Sequence, residues 1–321
     1  MVLANTECRE IERLGVILRF ILTVLLGCIL NNAAFGKELA LTFDDSPNLA
    51  SPYLGVKNRA LRIQQALKKH DVREALFFAT PRNNKASTLR ILKSHVSNGH
   101  LLANHSFSHK RYSNTANDVY FNDIMKADKV LAKLKGFVPY FRFPFLDAGK
   151  RREKIDEARK FLKAKNYRHG YVTIDNSEWV IEGELKKALK LGKKFDLEKM
   201  KKIFVDHLVA QANYTEALGN RYVAKNIKHT LLLHENEVAG LFLDDLLSAL
   251  KQDGWKIISA IDAYADPIAK RIPKTIRLGQ GRVVALAIDR GYKGEMNAPN
   301  ENEKSIRKRI EEQNIFKGNR S

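Results

Sequence analysis

The sequence predicts an α/β protein in which the strands of a parallel sheet alternate with helices. Short apolar runs of strand length recur between residues 39 and 259, and the segments between them carry apolar residues every three or four positions. Several of these segments end in Lys or His followed by Gly, as helix C-termini commonly do. Because strand, helix and strand repeat along most of the chain, we expect a parallel sheet that is either open or closed into a barrel.

The elements can be assigned in chain order. The candidate strands are residues 39–43, 74–80, 100–106, 139–145, 169–175, 229–235 and 255–259. The helical segments between them are residues 58–70, 84–99, 118–136 and 237–254. These strands are one fewer than the eight of a standard (β/α)8 barrel.

The N-terminal residues 1–36 have the features of a signal peptide or membrane anchor. Residues 14–30 are apolar except for Arg19, and small and polar residues follow at 31–34. This pattern predicts cleavage near residues 34–36. The stretch is short for a membrane span, but an uncleaved anchor and lipidation at Cys28 within "LLGC" are alternatives. In each case the remaining chain would be periplasmic or secreted.

Residues 37–268 are expected to form the main domain, and two further segments are attached to it. Residues 180–228, rich in Lys and Leu, are interpreted as a helical insertion. Residues 269–321 form a basic C-terminal extension, in which residues 282–288 ("RVVALAI") could add a strand. We expect the last twenty residues to be a solvated helix or a loose tail.

Composition limits the kinds of site and partner that the chain offers. Its two cysteines, Cys8 and Cys28, precede Gly36, so the main domain has no cysteine for a disulfide or a metal. The formal net charge of +20 predicts attraction to polyanions such as anionic glycans, lipid headgroups or nucleic acid, without distinguishing among them. We expect peripheral contact with an anionic envelope surface. We expect no nucleic-acid partner, since no motif for one is present, and we find no sign of an obligate protein partner.

Ionisable residues lie in or just after the C-terminal parts of five of the predicted strands. In parallel α/β folds, functional side chains gather at the carboxyl ends of strands. The residues at these ends are Asp44, Asp45, His105, His109, Arg142, Asp175 and His234. The sequence therefore predicts that one face of the sheet carries a polar site.

Two histidines in this set have the spacing of metal ligands. His105 and His109 are separated by three residues, and imidazole nitrogen suits zinc and similar divalent ions. An aspartate from the first strand would complete a three-ligand site with room for water, as in catalytic sites. The neighbouring aspartate, kept ionised by the cation, could then act as a base. We expect one divalent metal ion; zinc is the first choice, and cobalt, nickel and iron are alternatives.

These motifs resemble those of the polysaccharide deacetylases, the family with a NodB homology domain that is also called carbohydrate esterase family 4. "TFDDSP" resembles the first motif, and "HSFSH" matches the second. "RFPF" is similar to the third, with Phe145 where the family usually has tyrosine. "DNSEW" resembles the fourth, with Glu178 in place of an aspartate, and "LLH" at 232–234 fits the fifth.

The resemblance implies a distorted (β/α)7 barrel, with its active site at the C-terminal strand ends, that removes acetyl groups from a polysaccharide. Asp45, His105 and His109 would bind the metal. Asp44 would be the general base, held ionised by Arg142.

The resemblance also implies which residues donate the proton to the leaving group, stabilise the oxyanion and hold the acetyl group. His234 would be the general acid, and Asp175 would orient it. The backbone N–H of Phe145 would help to stabilise the oxyanion, and Leu232 and Trp179 would line the pocket for the acetyl methyl group.

Other functions stay open. The chain could be an inactive barrel that binds glycan, an O-acetyl esterase or a metal-dependent phosphoesterase, although two-metal phosphoesterases need more carboxylates than this set supplies. The substrates that we consider first are polymers containing N-acetylglucosamine: peptidoglycan, chitin or an exopolysaccharide.

Overall fold

A computed structural model describes residues 36–82, 85–276, 279 and 281–319 of the chain. Residues from Lys37 onward form one compact unit. The predicted leader, with Cys28 and residues 14–30, lies outside the described residues. Among the residues that are described, no helix has both the length and the apolar character needed to cross a membrane.

Nine strands are present in this part of the chain. They are β1 (Lys37–Ser46), β2 (Leu76–Ala79), β3 (Leu101–Asn104), β4 (Phe137–Phe141), β5 (Arg168–His169), β6 (Lys193–Phe195), β7 (Lys228–His234), β8 (Trp255–Ile257) and β9 (Phe316–Asn319). Seven of them form a parallel sheet in the order β5-β4-β3-β2-β1-β7, with β8 paired to β1 as well. The sheet and its parallel strands confirm the predicted α/β class.

Ten α-helices surround this sheet in the described ranges. They are α1 (Val56–Lys69), α2 (Ala86–Ser97), α3 (Asn117–Leu131), α4 (Arg152–Ala164), α5 (Glu178–Lys190), α6 (Leu197–Tyr222), α7 (Glu237–Gln252), α8 (Ala260–Tyr264), α9 (Arg282–Asp289) and α10 (Glu303–Glu312). Short 3₁₀ turns lie at Tyr112–Asn114, Pro144–Leu146 and Pro267–Lys270.

The sheet curls back on itself. β5 pairs with β4, and a few residues later Ile174 forms a parallel bridge with Leu231 of β7. The backbone N–H of Leu232 donates to the carbonyl of Ile174 at 3.1 Å. The segment after β5 therefore joins the two ends of the strand order, which gives a distorted barrel with an interior and an exterior face.

The alternation of side chains along β1 determines which of its residues face the interior of the barrel. Leu39, Leu41 and Phe43 pack against the surrounding helices, in a cluster that includes Ile63 and Leu243. Ala40 belongs to a separate cluster inside the barrel. Because side chains alternate along a strand, Thr42 and Asp44 point to the same inner face as Ala40.

The C-terminal extension is more ordered than the sequence predicts. The expected strand at 282–288 is wrong: these residues form α9, which packs on α6. A short apolar run does not distinguish a buried helix from a buried strand. Of the two alternatives for the last twenty residues, a helix is present as α10 and the loose tail is wrong. This helix buries Ile306 and Ile310, one turn apart, and β9 pairs antiparallel with β6 of the insertion.

Candidate active site

Asp44 and Asp45 lie at the carboxyl end of β1, where the barrel opens. Asp44 is buried and paired in register with His234 at the end of β7. The next residue, Asp45, has a φ of 60°, in the left-handed region that non-glycine residues seldom adopt. This turn of the backbone directs two adjacent carboxylates into the same opening from different angles.

Asp45, His105 and His109 come together as the sequence predicts. Their potential ligand atoms all lie within 4.8 Å of one another. Oδ1 of Asp45 is 3.0 Å from Nε2 of His109 and 4.0 Å from Nε2 of His105. Such a cluster of one carboxylate and two imidazoles is able to hold a divalent cation.

Three more residues in or beside this cluster have a left-handed backbone: Ser106, His109 and Phe145 have φ values of 67°, 57° and 59°. Conformations of this kind each cost about 1–3 kcal/mol and persist where the surrounding structure holds them. The hydroxyl of Ser106 accepts a hydrogen bond from the N–H of His109 at 3.0 Å, which closes the turn between the two histidines. Such strain is typical of ligand-binding and active sites.

The protonation of His105 suits a ligand. Its Nδ1 lies 2.9 Å from the carbonyl oxygen of Arg142, and this oxygen can only accept. Nδ1 therefore carries the proton, and Nε2 is left with a lone pair toward Asp45. Burial lowers the pKa of His105 to about 4, so the imidazole is neutral near pH 7.

Arg142 lies directly behind Asp44. Its Nη1 donates to Oδ1 of Asp44 at 2.6 Å and to the hydroxyl of Thr42 at 3.0 Å. Nε donates to the carbonyl of Gly170 at 2.8 Å, and Nη2 donates to the hydroxyl of Tyr264 at 2.9 Å. Burial disfavours the guanidinium, but Asp44 and Tyr264 outweigh it and raise the pKa of Arg142. The buried cation is thus fixed in place beside one carboxylate.

The partner of His234 differs from the expectation. Nδ1 of His234 is 2.9 Å from Oε1 of Glu178, and the same oxygen accepts from the backbone N–H of His234. Asp175 instead accepts from the N–H of Asn176 at 2.9 Å, and burial raises its pKa to about 7. The hydrogen bond to His234 that was expected from Asp175 is therefore made by Glu178.

The fourth motif contained the signal for this residue. Glu178 replaces the shorter aspartate of that motif, and it is the first residue of α5. From there its second oxygen accepts from Nδ2 of Asn236 at 2.7 Å. Burial opposes a charged imidazole, but Glu178, followed by Asp45 and Asp44, raises the pKa of His234 to about 10.

The three residues predicted to contact substrate all line the same cavity as the ionisable groups. Trp179 is 45% exposed, whereas Leu232 is 6% exposed at the end of β7. The ring of Phe145 packs edge-on against His109, with centroids 4.6 Å apart, and the guanidinium of Arg111 lies 3.9 Å from its centroid. Among the described backbone hydrogen bonds, none uses the N–H of Phe145.

The cavity has a volume of about 880 Å³ and includes a wall that the sequence does not predict. Beyond the strand ends, Glu182 and Lys186 of α5 contribute to it. The C-terminal extension adds Met296, Asn297, Asn302, Glu303 and Lys304. No motif marks these residues, because they reach the site only through the packing of α10 against α5 and α6.

Comparison with known proteins agrees with this geometry. Residues 32–165 match the family model described as polysaccharide deacetylase. A peptidoglycan-N-acetylglucosamine deacetylase from Bacillus cereus is 29% identical over 143 residues, which are 44% of this chain and 46% of the relative. The chain thus spans about half the length of the curated relative that it matches.

Solved structures with a similar chain path have TM-scores just under one half. A peptidoglycan deacetylase from Bacillus subtilis gives 0.48 at 18% identity, covering 74% of this chain and 92% of that one. A CE4 family pseudoenzyme from Bacillus anthracis gives 0.48 at 21% identity, covering 71% and 65%. Residues 32–165 are thus similar to the polysaccharide deacetylase family, and the motifs that resemble those of the family lie in order from Asp44 to His234.

Proposed function

We propose that this protein is a metal-dependent hydrolase that removes acetyl groups from an extracytoplasmic polysaccharide containing N-acetylglucosamine. One observation carries the proposal. A candidate metal cluster, a carboxylate paired with a buried arginine and an imidazole paired with a buried glutamate all open into one cavity. Hydrolysis of an acetamide needs an activated water, a stabilised oxyanion and a proton for the leaving nitrogen.

The residues of the cluster fit a divalent cation. Oδ1 of Asp45 is buried, and no described residue makes a hydrogen bond of good geometry to it, although it faces two imidazole nitrogens. A buried carboxylate oxygen in this situation is costly unless a cation or a donor satisfies it. Zinc suits two imidazoles and one carboxylate best, and cobalt, nickel or iron suit them as well. When bound, such an ion lowers the pKa of water and polarises a carbonyl group.

Asp44 is proposed as the general base that takes a proton from the attacking water. Arg142 fixes Oδ1 of Asp44 through a 2.6 Å hydrogen bond, while Oδ2 lies 3.6 Å from Nε2 of His105 on the side of the metal cluster. One oxygen is therefore anchored by the guanidinium, and the other faces the position where the water must lie.

His234 is proposed as the general acid for the leaving nitrogen. Its Nδ1 is bound by Glu178, so that Nε2 is the atom left to donate toward the cavity. The glutamate stabilises the imidazolium that the reaction needs. We assign the backbone N–H of Phe145 to the developing oxyanion, and Leu232 with Trp179 to the acetyl methyl group.

Peptidoglycan is the first substrate to test, because the Bacillus cereus relative is named for N-acetylglucosamine in that polymer. The predicted leader at residues 14–30 is consistent with an envelope substrate. N-terminal sequencing of mature protein from the native cell would test export, and an intact leader on protein from the soluble cytoplasmic fraction would contradict it.

The function is tested by acetate release from peptidoglycan glycan strands, chitin oligomers and an O-acetylated xylan. We expect acetate release from the peptidoglycan strands and the chitin oligomers. A chelator should abolish this release, and zinc should restore it. Release from xylan alone would indicate an O-acetyl esterase. Binding of glycan with no release from any polymer, at full metal occupancy, would contradict the hydrolase and favour an inactive binding barrel.

A further inference from the structure

A buried histidine connects the C-terminal extension to the turn before α5. The side chain of His207, on α6, is fully buried. Its Nδ1 lies 2.8 Å from Oε2 of Glu301, and its Nε2 lies 2.9 Å from the backbone nitrogen of Ser177. Arg309 of α10 also donates to Oε2 of Glu301. Three parts of the chain that are remote in sequence thus meet at one imidazole.

The hydrogen bonds require one tautomer of this imidazole. The N–H of Ser177 can only donate, so Nε2 of His207 must be the acceptor and carry no proton. Nδ1 then carries the proton and donates it to Glu301. Because Arg309 also binds Glu301, the carboxylate does not face the imidazole as an unpaired charge. A neutral imidazole with a fixed direction is the result.

The hydrogen bond from the N–H of Ser177 to Nε2 of His207 supports the turn that carries Glu178. Ser177 precedes the first residue of α5 and has no side-chain cap hydrogen bond. Asn176 donates from Nδ2 to the carbonyl of Leu232 at 2.6 Å and accepts from the N–H of Glu178 at 3.0 Å. The turn of residues 176–178 is therefore fastened to β7 on one side and to His207 on the other.

We propose that His207 and Glu301 are positioning residues for the general acid, acting through Ser177 and Glu178 on His234, so that the C-terminal extension belongs to the catalytic unit. The inference rests on the proposed deacetylase function. Neither residue touches the cavity; each acts through the next. The extension thereby has a role in catalysis as well as supplying one wall of the cavity.

The test compares His207→Leu, which removes the acceptor, with His207→Gln, whose amide oxygen can accept from the N–H of Ser177. The matched control is His70→Leu, since His70 pairs with Asp244 at 2.7 Å outside the residues that line the cavity. The measurements are kcat and KM for acetate release, metal content, and hydrogen–deuterium exchange of the peptide that contains Ser177.

We expect His207→Leu to keep its metal, to change KM by less than about threefold and to lose roughly 10- to 100-fold in kcat, part of the value of a general acid. The Ser177 amide should exchange faster in this variant. His207→Gln should restore most of kcat and most of the protection of the Ser177 amide from exchange. His70→Leu should change neither quantity. An unchanged kcat in His207→Leu, or an equal loss in His70→Leu, would overturn the proposal.

Two further outcomes keep the inference separate from the function. If His207→Leu does not fold, Glu301→Ala removes the acceptor of Nδ1 but keeps the imidazole, and it should lower kcat in the same direction while KM stays constant. A Glu301→Ala protein with wild-type kcat would overturn the link. If the wild-type protein releases no acetate, the proposed deacetylase function fails. The connection between His207 and Ser177 is still tested in that case, because unaltered hydrogen–deuterium exchange at Ser177 in His207→Leu would refute it.

Discussion

Oε1 of Glu178 lies 2.9 Å from Nδ1 of His234 and also accepts from the backbone N–H of that residue. One carboxylate oxygen therefore fixes both the ring and the main chain of the proposed acid. Glu178 is buried at the first residue of α5, so its position depends on how that helix begins. Glu178 thus makes both contacts with His234 from a position where the motif usually has the shorter aspartate.

Glu178→Gln should move the alkaline limb of the kcat/KM profile to lower pH. Glu178 raises the pKa of His234, so the charged imidazole is kept to higher pH while the carboxylate is present. Without that charge, the imidazolium loses its proton sooner, and activity falls earlier as the pH rises. The measurement is kcat/KM against pH for both proteins.

Asp175→Asn is the control for that experiment: the charges of Asp175 and His234 interact, but Glu178 makes the hydrogen bond to His234 and does most to raise its pKa. Its alkaline limb should stay within about half a pH unit of wild type, less than the roughly one-unit shifts common between proteins. A limb that moves in Asp175→Asn and stays in Glu178→Gln would return the orienting role to Asp175.

The metal cluster predicts that substitution of any one of its three residues has the same effect, a loss of bound metal. Asp45→Ala, His105→Ala and His109→Ala should each bind less than a tenth of the wild-type metal and lose activity, since three ligands are the usual protein share of a catalytic site. Elemental analysis after dialysis measures this directly. His70→Ala should keep its metal. Full occupancy in the double variant of His105 and His109 would exclude the site.

Asp44→Asn should show whether Asp44 is the general base and Asp45 the metal ligand, as proposed. The amide keeps the shape of the side chain and its contact with Arg142 but accepts no proton, so we expect normal metal content and a loss of roughly 10²–10⁴-fold in kcat. If this variant loses the metal while Asp45→Asn keeps it, the two roles are reversed. Both quantities can be measured on the same preparations.

The packing of the C-terminal extension predicts that truncating a buried side chain of α10 lowers the stability of the protein. Ile306 is fully buried in the main core cluster, so Ile306→Ala should lower the free energy of unfolding by about 2–4 kcal/mol. Ile272, which is 55% exposed, is the control, and Ile272→Ala should change it by less than about 0.5 kcal/mol. Urea denaturation measures both. Equal midpoints would indicate that α10 does not pack as described.

The sequence predicts most of the site because its residues follow strands. Asp44, His105 and His234 end apolar runs, and parallel strands bring such ends together whatever the intervening segments do. Position along a strand also places Asp44 inside the barrel, since side chains alternate along β1. The placement of Arg142 against Asp44 follows from the same geometry.

The contributions from outside the strands were not predictable in this way. His207 lies in the middle of a long helix with no motif around it, and its partners Ser177 and Glu301 are far away along the chain. Residues 282–288 are apolar without a period, so the run fits a strand or a buried helix equally. Which residue reaches His234 depends on side-chain length and on the start of α5, and no spacing rule distinguishes Asp175 from Glu178.

The pairing of β6 with β9 has a consequence for how the protein is made. β6 lies at residues 193–195 and its partner at 316–319, so a nascent chain presents an unpaired strand edge until the partner has left the ribosome. Contacts between such distant residues form slowly, and an open edge is a template for association with other chains. Translation that stops before residue 316 should therefore yield an aggregation-prone barrel, even though every residue of the candidate active site has been synthesised.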